Sequence, residues 1–303
     1  MPQRKRGYPR QRASYGLLLL LSWLLFLTGC QPFSKPAAIS ARLTVAVLDV
    51  GQGLSVAAVT DDGHALLYDA GNGASDVQNV IIPFLRQHGV QRLDYLVVSH
   101  PDQDHVGGIP AVLSAIPVGL FLDPVLPTTN HAYLQALQLV ASKHIPAQRA
   151  RRGQSFTLGQ VRVEVLWPRD PLMQQDGAVS DNDNAVVIRL VLDDIAVLLP
   201  ADIEAPAESA LVAAGAGALR ANVLVVPHHG SRTSSTTPFL AAVAPKFAII
   251  SVGAHNAYGH PHPEAIARLR AAGATIFRTD QDGTVTVLTD GQSLQVKTER
   301  GKP

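Results

Sequence analysis

The sequence predicts an α+β domain, an αββα sandwich in which two mixed sheets pack face to face and helices cover their outer sides. Three observations predict it. From residue 43 onward, short Val- and Leu-rich runs with a period of two recur along the chain, joined by Gly- and Asp-containing turns. Between them stand stretches whose apolar residues follow helical spacing. Finally, 47% of the 303 residues are apolar against 16% charged, which is enough to bury a full core and excludes a disordered or fibrous chain.

The elements follow in order. Runs 43–50 and 54–60 alternate around Gly51-Gln52-Gly53 as a hairpin would, and Asp61-Asp62-Gly63 turns the chain into a strand over 64–68. Val77, Val80, Ile81, Phe84 and Leu85 share one face of a predicted helix over 76–88, with Gly89 where a C-terminal cap belongs. A buried strand over 93–98 comes next. Helices are predicted over 109–115 and 131–143, then strands over 155–158, 161–167, 185–192 and 195–199. The last third reads as helix 205–214, strand 223–226, helix 237–243, strand 247–251, helix 263–272 and strands 275–278 and 284–288.

The N-terminal segment reads differently. Its basic start leads into an apolar run over 16–27, too short for the roughly 20 residues that span a bilayer, so it has the form of a signal sequence. Leu27-Thr28-Gly29-Cys30 resembles the bacterial lipoprotein signal, in which the cysteine is lipidated and becomes the new N-terminus. The expected organisation is a signal peptide over 1–29, a tether over 30–41 and a folded domain over 42–303, anchored in the cell envelope through lipid on Cys30 and facing outside the cytoplasm. Cys30 is the sole cysteine, so an intrachain disulfide is excluded. The formal charge of +1 includes Arg4, Lys5, Arg6, Arg10 and Arg12; without these five cations the chain stands at about −4. That excludes a global basic field of the kind that gathers nucleic acid non-specifically.

The chemistry concentrates after the strand over 93–98. In Ser99-His100-Pro101-Asp102-Gln103-Asp104-His105-Val106-Gly107-Gly108, four potential ligands fall within six residues at a strand mouth, and imidazole with carboxylate suits a divalent transition metal. Asp202 ends an apolar strand, where a carboxylate entering a dry sheet end is stabilised by cations. His228-His229 end another strand. No Gly-x-Ser-x-Gly motif offers a covalent nucleophile.

The pattern His-x-Asp-x-Asp-His-x-Gly-Gly resembles the signature of the metallo-β-lactamase superfamily. Asp49-Val50-Gly51-Gln52-Gly53, Tyr68-Asp69-Ala70-Gly71, Asn184, Leu199-Pro200-Ala201-Asp202, Pro227-His228-His229-Gly230-Ser231 and Tyr258-Gly259-His260-Pro261-His262-Pro263 extend the resemblance, in order, to the metallo-hydrolase domain of ComEC-type competence proteins. Ala185 stands where that family often has serine, Pro200-Ala201 replaces a commoner Thr-Gly, and the family's membrane-channel helices have no counterpart among these motifs.

The resemblance implies two divalent ions, zinc by default and manganese as the alternative. His100 and Asp102 would hold one, Asp104 and His105 the other, and Asp202 would bridge them. One of His228 and His229 would complete the ligand set of the second ion, with His228 grouped among the ligands and His229 among the catalytic side chains alongside Asp104, His260 and Asn184. Asp69 would orient a metal histidine from behind, and Asn184 and His260 would hold phosphoryl oxygens at the rim. The implied activity is a phosphodiesterase or nuclease that uses a metal-held hydroxide, linked to DNA uptake. The alternatives are an esterase of envelope polymers and a non-catalytic metal-dependent DNA-binding lipoprotein. Arg149, Arg151, Arg152 and Arg232 are the basic residues expected to meet a phosphate backbone, and no protein partner can be inferred.

Overall fold

The structure is a computed structural model that describes residues 1–4, 7 and 39–301. The apolar run over 16–27, Cys30 and the prolines of the tether lie outside the described residues. Among the described residues no helix is long and apolar enough to cross a membrane. A compact unit begins at Ile39.

The first strands are β1 (Leu43–Val47), β2 (Val56–Thr60), β3 (Ala65–Tyr68), β4 (Leu93–Val97), β5 (Val118–Asp123) and β6 (Ala147–Arg149). The middle of the chain supplies β7 (Ser155–Leu158), β8 (Val161–Trp167), the small hairpin β9 (Gln174–Gln175) and β10 (Ala178–Val179), β11 (Val187–Leu192) and β12 (Ile195–Leu199). Then come β13 (Val223–Val225), β14 (Phe247–Ile250), β15 (Thr275–Arg278), β16 (Val285–Thr289) and β17 (Leu294–Thr298). One sheet has the order β17-β16-β1-β2-β3-β4-β5-β6 and the other β15-β14-β13-β12-β11-β8-β7. Each is antiparallel along one part and parallel along the other, through β3-β4-β5-β6 in the first and β12-β13-β14-β15 in the second.

The period of two in the sequence becomes two separate burials. Leu43, Val45 and Val47 of β1, Val56 and Ala58 of β2, and Leu66 and Tyr68 of β3 enter the core shared with the second sheet. Their neighbours Ala46, Ala57, Val59, Ala65 and Leu67 face the opposite way, into a core with Leu85, Val112, Leu113, Tyr133 and Val140 from the covering helices. A slip of one residue would exchange the two sets, and each large side chain exposed by it would cost about 1.5–3 kcal/mol, which pins the register. Helices Ala205–Gly215, Thr237–Val243 and Pro263–Ala271 supply Ala207, Leu211, Phe239, Leu240 and Leu269 to the core of the second sheet.

The structure differs from the expectations in places with physical causes. The predicted strand over 43–50 stops at Val47, because the chain then crosses toward the second loop of the site, where Leu54 N–H donates to the Asp104 carbonyl at 3.0 Å. The predicted helix over 76–88 is a wide turn, Val77–Ile81, running into the helix Ile82–Gln87; Pro83 has no N–H to continue a regular ladder. Strands β5, β6 and β17 were not expected: β6 exposes every side chain, and β17 alternates too weakly for its pattern to stand out.

Candidate metal centre

Parallel pairing places the carboxyl ends of β3 and β4 side by side, and those of β12, β13 and β14 side by side in the other sheet. The residues that follow them are Asp69, the run from Ser99 to His105, Asp202, His228-His229 and Ser251. Tyr68, fully buried, ties the two sheets beneath them by donating its hydroxyl to the Val186 carbonyl at 2.5 Å. Asp69, Ala201, His228 and His229 all adopt left-handed backbone, with φ of 60°, 51°, 51° and 52°. Non-glycine residues reach that region at a cost of about 1–3 kcal/mol each, and such strain gathers where surrounding structure fixes side chains for function. The Gly107-Gly108 pair has a packing reason: a Cβ at Gly107 would stand 1.8 Å from the Asn72 carbonyl oxygen and one at Gly108 2.1 Å from that of Ala70. Only glycine lets the two loops meet backbone to backbone.

Each histidine of the cluster is held from its Nδ1 side. His105 Nδ1 donates to Asp69 Oδ2 at 2.8 Å, and His229 Nδ1 to the Ser251 carbonyl at 2.8 Å. His100 Nδ1 lies 2.9 Å from Ser99 Oγ, which itself donates to Asp69 Oδ2 at 2.6 Å. The Nε2 atoms of His100, His105 and His229 are therefore turned inward, buried and without a hydrogen-bond partner. Around them stand carboxylates: Asp102 Oδ2 3.5 Å from His100, Asp202 Oδ1 3.3 Å from His105, and Asp104 Oδ2 and Asp202 Oδ2 3.2 and 3.4 Å from His229. His100, His105 and Asp202 form one group, and Asp104, His105 and His229 another, in which ligand atoms lie within 4.8 Å of one another. A buried imidazole nitrogen without a partner is costly, and three converging on two carboxylates make a donor set that fits a divalent transition metal.

Electrostatics agree with the geometry. Burial alone would raise the Asp104 carboxyl, but His105 and His229 bring it down to about 2. Asp202 is held well below the usual range against the same desolvation, chiefly by His105 and His229.

The expected residues do not all arrive together. His229, expected to be catalytic, sits among the carboxylates, whereas His228, expected to be a ligand, has Nδ1 3.1 Å from Glu204 Oε1 and Nε2 3.8 Å from Asp202 Oδ2. The ring of His260 stacks on that of His229 at 6.3 Å, at the rim; burial and the neighbouring histidines push it down to about 4. The rim role expected of Asn184 does not agree with its placement. Its carboxamide is buried, accepts from Met173 N–H at 2.8 Å and donates to the carbonyls of Met173 and Ser180, so it organises the 173–180 loop and has no free polar atom to offer a substrate.

The basic cluster is likewise engaged. Arg149 pairs with Asp170, Arg151 donates to Asp170 and to the carbonyls of Pro124 and Ala150, and Arg152 donates to Ala214. Arg232 is exposed, its guanidinium 3.0 Å from His262 Nε2. Sequence reasoning assigned no role to Ser99 or to the Ser251 carbonyl; a hydroxyl immediately before the first ligand was the one available signal for Ser99.

Known proteins resemble the chain at two levels. It is 36% identical over 262 residues to "Competence protein ComA" of Neisseria gonorrhoeae, covering 86% of this chain and 34% of that protein. It is 30% identical over 294 residues to "Recombination protein 2" of Haemophilus influenzae, covering 96% and 33%. The chain thus spans about a third of the length of these relatives. Among solved structures, CmlA, a diiron β-hydroxylase from Streptomyces venezuelae, superposes with a TM-score of 0.54 at 15% identity, covering 82% of this chain and 54% of that one. The metallo-β-lactamase fold protein YhfI from Bacillus subtilis superposes with a TM-score of 0.50 at 11% identity, covering 78% and 95%, and these likenesses show the fold. A model of the metallo-β-lactamase superfamily matches residues 48–255, well over half of the chain, and the chain belongs to that superfamily.

Proposed function

We propose that the domain is a binuclear metal-dependent phosphodiesterase acting on nucleic acid in the cell envelope, attached to the membrane through lipid on Cys30. One observation carries the metal-dependent reading: the three buried, unpartnered Nε2 atoms of His100, His105 and His229 converge with Asp104 and Asp202. Two divalent cations, zinc or manganese, would supply a water activated near neutral pH and positive charge against the attacked centre.

His100 and Asp102 would hold one ion, and Asp104, His105 and His229 the other. Asp202 would be shared between them, since it groups with His100 and His105 while its Oδ2 lies 3.4 Å from His229. His228, with Nδ1 3.1 Å from Glu204 Oε1, would use Nε2 to contact the substrate or the leaving group. The Ser99 hydroxyl is buried and committed to Asp69, which supports attack by water over a covalent serine intermediate. The names of the competence and recombination relatives support nucleic acid as substrate and the envelope as location.

The test is metal analysis of the purified protein followed by a phosphodiesterase assay with added Zn²⁺ or Mn²⁺. Stoichiometric metal and cleavage, both lost in Asp202→Ala, are expected. Full metal occupancy in that variant would overturn the ligand assignment, and metal with DNA binding but no cleavage would make the domain a metal-dependent DNA-binding module.

A further inference from the structure

Tyr258 is the one exposed aromatic residue among the described residues, with 66% of its surface open. An exposed aromatic ring is usually incidental, but this one stands at the mouth of the metal centre. Its ring stacks on His260 at 5.7 Å and 23°, and His260 stacks in turn on His229 at 6.3 Å and 25°, so a column of rings leads from solvent to the ligand cluster. The loop that presents it is organised by one side chain. Asn256 accepts from the backbone N–H groups of Tyr258 and His260 at 3.2 and 2.9 Å and donates to the carbonyls of Gly253 and His260. Such an Asx arrangement fixes the backbone on both sides of the ring, so the platform is built before any ligand arrives.

The charges around the centre are unequal. On the Tyr258 side the rings continue from His260 to His262, 4.9 Å away, and His262 carries the exposed Arg232 guanidinium at 3.0 Å. A cavity of about 350 Å³ beside Asp102 and Glu204 is lined also by Asp176 and Asp181, with no basic side chain in its wall. A polyanion avoids the acidic wall and approaches over Arg232 and Tyr258.

We propose that Tyr258 and Arg232 form a subsite for single-stranded nucleic acid, in which a nucleobase next to the scissile phosphodiester stacks on the open face of Tyr258 and the adjoining phosphate pairs with Arg232. The proposal rests on the phosphodiesterase reading of the same centre. Stacking on an aromatic side chain tolerates any base, because every base has a π face, so the subsite selects single strands over duplexes without reading sequence.

The experiment measures binding as well as cleavage. A fluorescent oligo-dT and an abasic oligonucleotide of the same length, which carries the same phosphates without bases, are titrated with metal-loaded wild-type protein, Tyr258→Ala and Tyr258→Phe. Wild type is expected to bind oligo-dT more tightly than the abasic strand. Tyr258→Ala is expected to weaken oligo-dT binding roughly 5- to 150-fold, the range of one base–aromatic stack, and to leave the abasic strand unchanged, while Tyr258→Phe retains the preference. Equal affinity of wild type for the two strands, no loss in Tyr258→Ala, or equal losses on both strands would each overturn the subsite. Base-dependent binding without cleavage of either strand would leave the subsite standing and refute the phosphodiesterase reading instead.

Discussion

Loading this centre with a divalent ion has to expel protons, and the structure says from where. Burial alone would lower His229, but the Asp202 charge and the contacts with Asp104 and Asp202 push it up to about 10. His105 lies well above its ordinary value for the same reason: the charges of Asp202, Asp104 and Asp69 outweigh its desolvation. A metal takes the neutral imidazole at Nε2, so both protons must leave. With the His229 value at about 10, work near pH 7.5 leaves a gap of roughly 2.5 units, or about 3.4 kcal/mol, which weakens apparent affinity ~300-fold relative to a neutral ring.

Affinity therefore rises with pH, about tenfold per unit for each proton displaced, and flattens once the pH passes the folded-state values. Zinc titration calorimetry between about pH 7 and 9, in two buffers of different ionisation enthalpy, is expected to show a slope near two in log affinity against pH and the release of close to two protons. The same raised values stabilise the metal-free fold below the ordinary histidine range, a contribution lost as pH rises through about 10 and absent from the metal-loaded protein. A flat affinity profile with no buffer dependence would show that the imidazoles are already neutral and refute the charge balance argued for the centre.

Three further outcomes are expected. Asp69→Ala removes the acceptor that orients His105 and should weaken zinc binding by about 10- to 100-fold in competition with a chelator; unchanged affinity would mean that packing alone fixes the ring. Glu208 is fully buried and accepts the backbone N–H groups of Ser235 and Thr236 at 2.5 and 2.8 Å, so Glu208→Ala should cost about 2–5 kcal/mol in denaturant unfolding by leaving both donors without partners, and a loss under about 0.5 kcal/mol would show that they find others. Cys30→Ser should move the protein out of the membrane fraction or leave it unprocessed, whereas unchanged size and membrane association would point to an uncleaved helical anchor.

The residue types of the centre were readable before folding because they are local: His100, Asp102, Asp104 and His105 fall on one loop, and Asp202 and His228-His229 each follow a strand whose period is plain. The αββα layering was readable too, since alternation and helical spacing report which side of each element is dry. Local pattern does not report which of two adjacent histidines turns inward. That depended on the Ser251 carbonyl arriving after β14 to take His229 Nδ1 and on Glu204 arriving with Oε1 3.1 Å from that of His228, contacts across 22 and 24 positions of chain.

The uses of Asn184 and Arg151 were hidden for the same reason: a polar side chain looks free in sequence until the loop that consumes it, 173–180 for one and the Asp170 turn for the other, is in place. By itself, the sequence determined the ligand chemistry and the sandwich, both of which rest on short-range spacing. Only the tertiary structure decided which ring at 228–229 turns toward the carboxylates, the acidic lining of the cavity beside Asp102, and the place of Tyr258 against His260, because each depends on chain segments brought together by strand pairing.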